Sequence, residues 1–349
     1  MSAAFRVVRF ENWVNPVFDE TLEQTDGVSL TRLRFADDRA ANLAVLAGAH
    51  ALHISPARDE LPGEWFVTAD LLAMCPSLLL VSSGGAGYDT IDVPACTAAG
   101  VTVANQTGGN AVSVAEHTLG LLLSVWHRIA ESDRALRGEV RGFSREDLVG
   151  TELAGKTIGL VGIGNIGRRV AALAAAFGMK AIATDPYLSR DEIESRGAAP
   201  VSFEALLETA DVVSLHCPRL PTTMRMMDAK AFGRMKPGAV FLSTARGGIH
   251  DEAALHEALS SGKLFGAGLD VWDVEPPPVG HPLFSHPRVV GTFHTAGVTG
   301  EARRNVASIA AAQIAGFAAG EKPPRLINPE VWPTVRTRFQ QTFGRLPAA

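Results

Sequence analysis

The chain has 349 residues, of which 46% are hydrophobic and 20% are charged, a balance typical of a globular protein of two domains. Its net charge of −5 gives no general attraction to nucleic acid or to an anionic membrane, so we expect neither as a partner. Three widely spaced cysteines, Cys75, Cys96 and Cys217, fit neither a disulfide framework nor a metal site and favour a reducing cytoplasm. We find no signal-peptide pattern and no apolar stretch long enough to span a bilayer.

Short β-rich runs alternate with helical patterns along the chain, which indicates an α/β fold with parallel sheets and crossover helices. In the first third, strands are predicted at residues 5–10, 51–54, 78–82 and 101–104. A long apolar helix follows from residue 111 to about residue 130, with Asn110 as its predicted N-cap. These elements predict a small α/β domain that leads into a long helix.

A second and clearer βα series begins after a charged stretch. Its strands are predicted at residues 157–161, 180–184, 211–216, 239–243, 266–271 and 289–292. An Ala-rich helix at residues 301–319 and a proline-containing tail end the chain, and the finished second domain offers the tail no obvious packing site. We therefore expect the tail to fold back onto the first domain.

A glycine-rich turn follows the first strand of this second series. It reads G-x-G-x-x-G between a predicted strand and a predicted helix, and its residues are Gly162, Ile163, Gly164, Asn165, Ile166 and Gly167. The glycines allow a tight turn, close approach of a pyrophosphate and close packing of helix on strand. Asp185 closes the next strand, where its carboxylate would bind the ribose hydroxyls of NAD and repel the 2′-phosphate of NADP. The alternative is that the glycines only form a turn and that Asp185 is a surface residue. The combination of strand, glycine turn, helix and acid favours an NAD site.

Three polar residues, Arg246, Glu275 and His294, follow the ends of successive predicted strands, where open α/β sheets bind ligands. The guanidinium of Arg246 can grip a carboxylate through two parallel hydrogen bonds. The imidazolium of His294 can give a proton to a carbonyl oxygen while Glu275 keeps it charged, so no metal is needed. Each residue alone could be structural or solvated. Their shared placement favours a site that reduces a small 2-keto acid.

Six short motifs carry a resemblance to a known family. They lie at residues 85–92 (GAGYDTID), 110–117 (NAVSVAEH), 216–218 (HCP), 244–248 (TARGG), 269–276 (LDVWDVEP) and 294–297 (HTAG). On these motifs, the chain resembles the D-isomer-specific 2-hydroxyacid dehydrogenases from about residue 51 to residue 328. The resemblance implies two Rossmann-like or flavodoxin-like domains with parallel sheets and an active-site cleft between them.

The resemblance also implies roles for individual residues. The backbone N–H groups of Ala86 and Gly87 would bind the substrate carboxylate together with Arg246, while Glu275 and His294 form the acid pair. Cys217 would lie near the adenosine and Asp270 on the nicotinamide side. The remaining residues implied at the cofactor are Thr244, Ala245, Arg246, His294 and Gly297.

The implied domain organisation follows the same resemblance. Residues 1–109 with 301–349 would form the substrate domain, and residues 110–300 would form the NAD-binding Rossmann domain, through which homodimers form. The implied activity is hydride transfer between NADH and the C2 carbon of a small 2-keto acid such as glyoxylate or hydroxypyruvate.

Some positions depart from the family pattern. Ser243, Leu220 and Phe293 stand where Asn, Thr and Pro are common, which affects packing or cofactor contacts more than chemistry. Phosphoglycerate dehydrogenases usually have an arginine directly after the strand at residues 51–54, whereas here Arg58 comes later, and the length leaves no room for an added C-terminal regulatory domain. A 3-phosphoglycerate dehydrogenase and an NAD-sensing scaffold like the C-terminal-binding corepressors stay open as alternatives. A formate or phosphite dehydrogenase fits less well.

Overall fold

The computed structural model describes residues 4–138 and 144–347 of the chain. The chain divides into two units, which we call unit 1 (Met1–Asn110 with Thr299–Ala349) and unit 2 (Ala111–Val298). In the described residues, no helix is both long enough and apolar enough to cross a membrane.

The described residues of unit 1 form a five-stranded sheet. Its strands are β1 (Phe5–Phe10), β2 (Val28–Leu33), β3 (Ala51–Ile54), β4 (Leu80–Ser83) and β5 (Thr102–Ala104). All neighbours are parallel in the order β2-β1-β3-β4-β5, which is the flavodoxin-like order. The helices between them are α1 (Val17–Glu23), α2 (Arg39–Ala47), α3 (Ala69–Met74) and α4 (Val93–Ala98). The side chains of Asp38, Thr68 and Asp92 cap the N-termini of α2, α3 and α4.

Unit 2 contains a seven-stranded parallel sheet. Its helices are α5 (Ala111–Trp126), α6 (Ile129–Arg137), α7 (Gly167–Ala176), α8 (Arg190–Ser195), α9 (Phe203–Thr209), α10 (Ala229–Arg234) and α11 (Glu252–Ser260). Its strands are β6 (Thr157–Val161), β7 (Lys180–Thr184), β8 (Ala199–Pro200), β9 (Val212–Leu215), β10 (Ala239–Ser243), β11 (Leu264–Leu269) and β12 (Val289–Gly291). The order β12-β11-β10-β9-β6-β7-β8 is that of a doubly wound Rossmann sheet. Its direction of winding reverses between β6 and β9, and open sheets of this kind bind ligands at such a switch point.

The end of the chain belongs to unit 1, as α12 (Gly300–Ala319) and α13 (Trp332–Phe343). Their apolar side chains join one core with residues of the first strands and helix, including Phe5, Phe18, Phe317, Trp332 and Phe339. Asn328 fastens the connecting segment to the sheet, because its side chain accepts a hydrogen bond from Val103 N (2.8 Å) and donates one to Val101 O (3.0 Å).

Several predicted elements need correction. The strand β2 was missed, and the long helix ends at Trp126 instead of continuing to residue 130. Arg128 there has a left-handed backbone with φ 55°, which ends α5 before α6 begins. The strand predicted at residues 266–271 runs two residues earlier, as β11, so Asp270 follows the strand instead of lying within it.

Candidate active site

The glycine-rich turn joins β6 to α7 and fits a dinucleotide. Gly162 has φ +89°, and a Cβ there would lie 2.9 Å from His216 O. A Cβ on Gly167 would lie 2.4 Å from Gly162 O, so helix and turn approach as closely as only glycine allows. In contrast, a Cβ on Gly164 would meet nothing within 4 Å, which leaves open space where a pyrophosphate would approach. No side chain of the described residues caps α7 at Ile166, so the start of the helix can offer its partial positive charge to an anion.

Asp185 follows β7 and faces this turn. One carboxylate oxygen accepts a hydrogen bond from Ile163 N and the other from Tyr187 N, each at 3.1 Å. Asn165 in the turn accepts a hydrogen bond from Arg168 through Oδ1 at 3.0 Å. The acid is thus fixed beside the turn, as a ribose contact requires.

The segment after β9 forms the other wall of the turn, since Gly162 packs against the peptide between His216 and Cys217. Burial raises the pKa of the Cys217 thiol to about 11, so the thiol stays protonated at neutral pH and is not an activated nucleophile. His216 Nε2 lies 2.9 Å from Ser214 Oγ, and burial lowers its pKa to about 4. Both side chains are therefore neutral at neutral pH.

The three predicted catalytic side chains follow three neighbouring strands, β10, β11 and β12. Arg246 follows β10, Glu275 lies in the loop after β11, and His294 follows β12. Because the three strands are parallel neighbours, their following loops meet at one edge of the sheet. Glu275 and His294 are in direct contact there, since Glu275 Oε2 lies 2.9 Å from His294 Nδ1.

The Glu275–His294 pair sets the charge of both side chains. Partial burial opposes the charged imidazole, but the hydrogen bond and the negative charge of Glu275 outweigh it, so the pKa of His294 is raised. Burial likewise opposes the charged form of Glu275, yet the contact with His294 lowers the pKa of this carboxyl overall. Since Nδ1 donates to the carboxylate, Nε2 is the ring nitrogen left to face a substrate.

Asp270 holds the backbone of the segment that carries His294. Its buried carboxylate accepts hydrogen bonds from Thr292 Oγ1 (2.6 Å), Thr295 N (2.8 Å) and Ala296 N (2.9 Å). His294 N donates to Asp270 O at 2.8 Å, and His294 itself has φ 51°. A left-handed conformation is uncommon for a non-glycine residue, and these bonds define it. Gly297 lies in the turn that follows, which the bond from Val298 N to Thr295 O closes.

Two contacts at this edge were not predicted from the sequence. His117 of α5 places Nε2 3.0 Å from Thr292 Oγ1 and 3.8 Å from Asp270. Thr118, one residue later, places its hydroxyl 3.1 Å from that of Thr244. The motif at residues 110–117 was the available signal for α5, but it did not reveal either partner.

Arg246 is half-buried beside the acid pair. Its guanidinium donates to Ala245 O at 2.7 Å, and its positive charge lowers the pKa of Glu275 and opposes the raised pKa of His294. A Cβ on the next residue, Gly247, would lie 1.8 Å from Trp272 O. The arginine segment therefore lies directly against the loop that carries Glu275.

In unit 1, hydrogen bonds to three carbonyl oxygens hold the segment after β4 in place. The carbonyl oxygens of Gly85, Ala86 and Gly87 accept hydrogen bonds from Gln106 N, Asn105 Nδ2 and Ser83 Oγ respectively. These bonds fix the backbone of residues 85–87. Ala86 and Gly87 were predicted from the sequence to bind the substrate carboxylate, but Asn105, which donates to Ala86 O, was not predicted.

Comparison with known proteins places the chain in a family. Residues 119–296 match the family model described as D-isomer specific 2-hydroxyacid dehydrogenase, NAD binding domain. The chain is 40% identical to D-3-phosphoglycerate dehydrogenase of Mycobacterium leprae over 291 residues, which are 83% of this chain and 53% of that protein. It is 40% identical to hydroxypyruvate reductase of Thermotoga maritima over 242 residues, 69% of this chain and 78% of that protein. A glyoxylate reductase structure from Paecilomyes thermophila matches with TM-score 0.83 and 29% identity, covering 95% of this chain and 99% of that one.

The chain therefore belongs to the D-isomer specific 2-hydroxyacid dehydrogenase family, and its residues 119–296 are an NAD-binding domain of that family. It spans about half the length of the first curated relatives that it matches. The predicted family, α/β fold and NAD cofactor are confirmed by these matches.

Proposed function

We propose that this protein is an NAD-dependent D-2-hydroxyacid dehydrogenase that reduces a small 2-keto acid such as glyoxylate or hydroxypyruvate. The observation that carries the proposal is the contact of 2.9 Å between His294 and Glu275, beside Arg246, in a family NAD-binding domain. A histidine kept protonated by a carboxylate beside a fixed guanidinium suits a substrate with a carbonyl next to a carboxylate.

Each predicted site residue has a distinct task in the proposed reaction. Arg246 binds the substrate carboxylate, and the N–H groups of Ala86 and Gly87 bind the same group. His294 donates the proton from Nε2 to the carbonyl oxygen, while Glu275 stabilises the imidazolium and fixes the ring. In the reverse direction, neutral His294 accepts the proton of the hydroxyl group.

Bound NADH would supply the hydride for C2 of the substrate. The residues that would hold it are those of the glycine turn, Gly162, Gly164, Asn165, Ile166 and Gly167, with Asp185 at the ribose. Further contacts would come from residues after β9, β10, β11 and β12, namely Cys217, Thr244, Ala245, Arg246, Asp270, His294 and Gly297. Asp270 has its carboxylate engaged by Thr292, Thr295 and Ala296, so its proposed part includes holding the His294 segment in place.

The proposal extends to organisation. Unit 1 would be the substrate domain and unit 2 the cofactor domain, and two copies would associate through the latter. We propose the cytoplasm as the location, since Cys75, Cys96 and Cys217 are all unpaired among the described residues.

A phosphorylated substrate is the second candidate. Arg58 donates to Asp89 O at 3.2 Å, and its guanidinium lies 5.8 Å from the ring of Phe66, so an exposed cation stands beside the segment after β4. Several relatives at 38–40% identity are D-3-phosphoglycerate dehydrogenases. A 2-keto acid with a terminal phosphate would suit this cation.

A substrate screen tests both candidates. The rate at which NADH absorbance falls is measured with glyoxylate, hydroxypyruvate, pyruvate and 3-phosphohydroxypyruvate. The values of kcat/KM then rank the four keto acids as substrates. We expect His294→Ala to lower kcat at least about a hundredfold, the scale of lost general acid catalysis. The exposed His127→Ala serves as the matched control and should leave kcat unchanged. Absence of turnover with every keto acid would contradict the proposal.

A further inference from the structure

A second carboxylate–histidine pair lies in unit 2, near the first. Glu252 is the first residue of α11, and His281 lies in the loop between β11 and β12. Their side chains are 16% and 11% exposed, and Glu252 Oε2 lies 3.1 Å from His281 Nε2. His281 Nδ1 accepts a hydrogen bond from Leu283 N at 3.3 Å, so the proton is on Nε2 and donates to Glu252. Both ring nitrogens of His281 are therefore engaged in hydrogen bonds.

The carboxylate of this pair also holds the loop that carries Glu275. Glu252 Oε1 accepts a hydrogen bond from Asp273 N at 2.8 Å, and Asp273 Oδ1 accepts one from Gly248 N at 2.7 Å. The neighbouring Trp272 N donates to Glu275 Oε1 at 3.1 Å. Glu252 thus fixes a turn that touches both the arginine segment and the carboxylate of the acid pair.

The imidazole of His281 supports the same turn by packing. Its ring centre lies 5.5 Å from Trp272 and 5.4 Å from Phe284, and these two aromatic rings lie 4.9 Å apart. The indole N–H of Trp272 donates to Thr292 O at 2.9 Å, two residues before His294. Through Trp272, the pair contacts the segments that carry both Glu275 and His294.

We propose that Glu252 and His281 are positioning residues for the proton donor, because they hold the turn at residues 272–275 so that Glu275 meets His294. This inference rests on the proposed function. The charged groups facing His294 are Glu275 and Asp270, which raise its pKa, and Arg246, which lowers it. If the turn loosens, the contact with Glu275 weakens while burial and Arg246 remain, so the pKa of His294 falls.

The test compares His281→Leu with His281→Gln. Leucine fills the space but removes the hydrogen bond to Glu252, whereas the glutamine amide can still donate from about the position of Nε2. We expect His281→Leu to move the alkaline limb of the kcat profile for keto acid reduction down by about one pH unit. That shift lowers kcat about tenfold at a pH above both values, because the protonated fraction falls tenfold. His281→Gln should restore most of the wild-type profile, and His127→Leu should not change it.

Three results would overturn the inference. The first is that His281→Leu has an unchanged pH profile and only a lower Tm. The second is that the profile of His281→Gln shifts as far as that of His281→Leu. The third is that the losses of kcat multiply when His281→Leu is combined with His294→Ala. In the last case the two residues act independently, whereas a positioning residue has no further effect once the proton donor is gone.

A readout without turnover separates this inference from the proposed function. The imidazole of His294 can be titrated by NMR in the wild type, in His281→Leu and in Glu252→Gln, which keeps the size of the side chain but cannot accept both hydrogen bonds. A lower pKa of His294 in both variants supports the inference even if no keto acid is reduced. An unchanged pKa in both contradicts it, whatever the substrate.

Discussion

At the scale of single residues, His294 combines a raised pKa with a left-handed backbone. Such a conformation costs about 1–3 kcal/mol in a non-glycine residue, and it persists where the surroundings define it. Here the surroundings are Asp270, with its three accepted hydrogen bonds, and the carboxylate of Glu275. The same contacts that hold the ring in place also hold its proton.

The pH dependence of the reduction should follow His294. Because its pKa is raised, the imidazolium is fully present below its ordinary value of about 6.5 and is lost as the pH rises through the raised value. The rate of keto acid reduction should therefore fall on the alkaline side, and oxidation of the hydroxy acid should rise there. In Glu275→Gln the raising contact is gone, so we expect the fall in kcat for reduction to begin at lower pH. An alkaline limb that stays in place would remove Glu275 from this role.

Arg246 should be sensitive even to a change that keeps its charge. An ammonium cannot form the two parallel hydrogen bonds that a guanidinium makes to a carboxylate, so Arg246→Lys should raise KM for the keto acid about tenfold or more. The exposed Arg234→Lys, in an ion pair with Glu208, is the matched control and should leave KM unchanged. If KM and kcat of Arg246→Lys both equal those of the wild type, the arginine does not bind the substrate.

At the scale of elements, we expect two glycines of the turn from β6 to α7 to have different roles, Gly167 in packing and Gly164 in binding. A methyl group on Gly167 would overlap Gly162 O, so Gly167→Ala should lower the free energy of unfolding by about 1–3 kcal/mol and abolish NADH binding. Gly164→Ala has open space around the methyl group and should keep wild-type stability while NADH binds more weakly.

Denaturant unfolding and NADH fluorescence titration measure the two effects. The control is Gly233→Ala in α10, where a methyl group meets nothing within 4 Å and alanine favours the helix, so stability should not fall. Equal losses of stability in Gly164→Ala and Gly167→Ala would show that the turn has one packing role throughout.

The elements also show what a sequence makes visible. Strands such as β6, β9 and β10 were predictable because they are mostly apolar and buried, whereas β2 lies at the edge of its sheet and has only one buried residue among its six. The end of α5 was missed because Arg128, not a glycine, takes the left-handed conformation there.

The candidate site divides in the same way. The positions of Arg246, Glu275 and His294 at strand ends could be predicted, because parallel strands end at a common edge. His117, Asn105 and His281 could not, since each acts through a partner that only the fold brings near. His117, for example, meets Thr292 from 175 positions away in the sequence.

At the scale of the whole molecule, the net charge does not attract the anionic ligands, so local groups must do so. The chain carries a net charge of −5, although its cofactor and proposed substrate are both anions. In the proposed function, attraction comes from fixed groups, namely Arg246, the N–H groups of Ala86 and Gly87 and the start of α7. Asp185 would have the opposite effect, because its carboxylate, held by Ile163 N and Tyr187 N, would disfavour any further negative charge at the ribose.

The choice between the two nicotinamide dinucleotides can therefore be read from the stability of the whole protein. A ligand at a hundred times its Kd stabilises the folded state by about 2.7 kcal/mol, so NADH at that concentration should raise Tm clearly. NADPH at the same concentration should raise it less, because its 2′-phosphate meets the carboxylate of Asp185. In Asp185→Ser the difference should narrow, while Asp59→Ser, which removes an exposed charge in unit 1, should preserve it. Equal increases in the Tm of the wild type with both dinucleotides would mean that Asp185 does not select the cofactor.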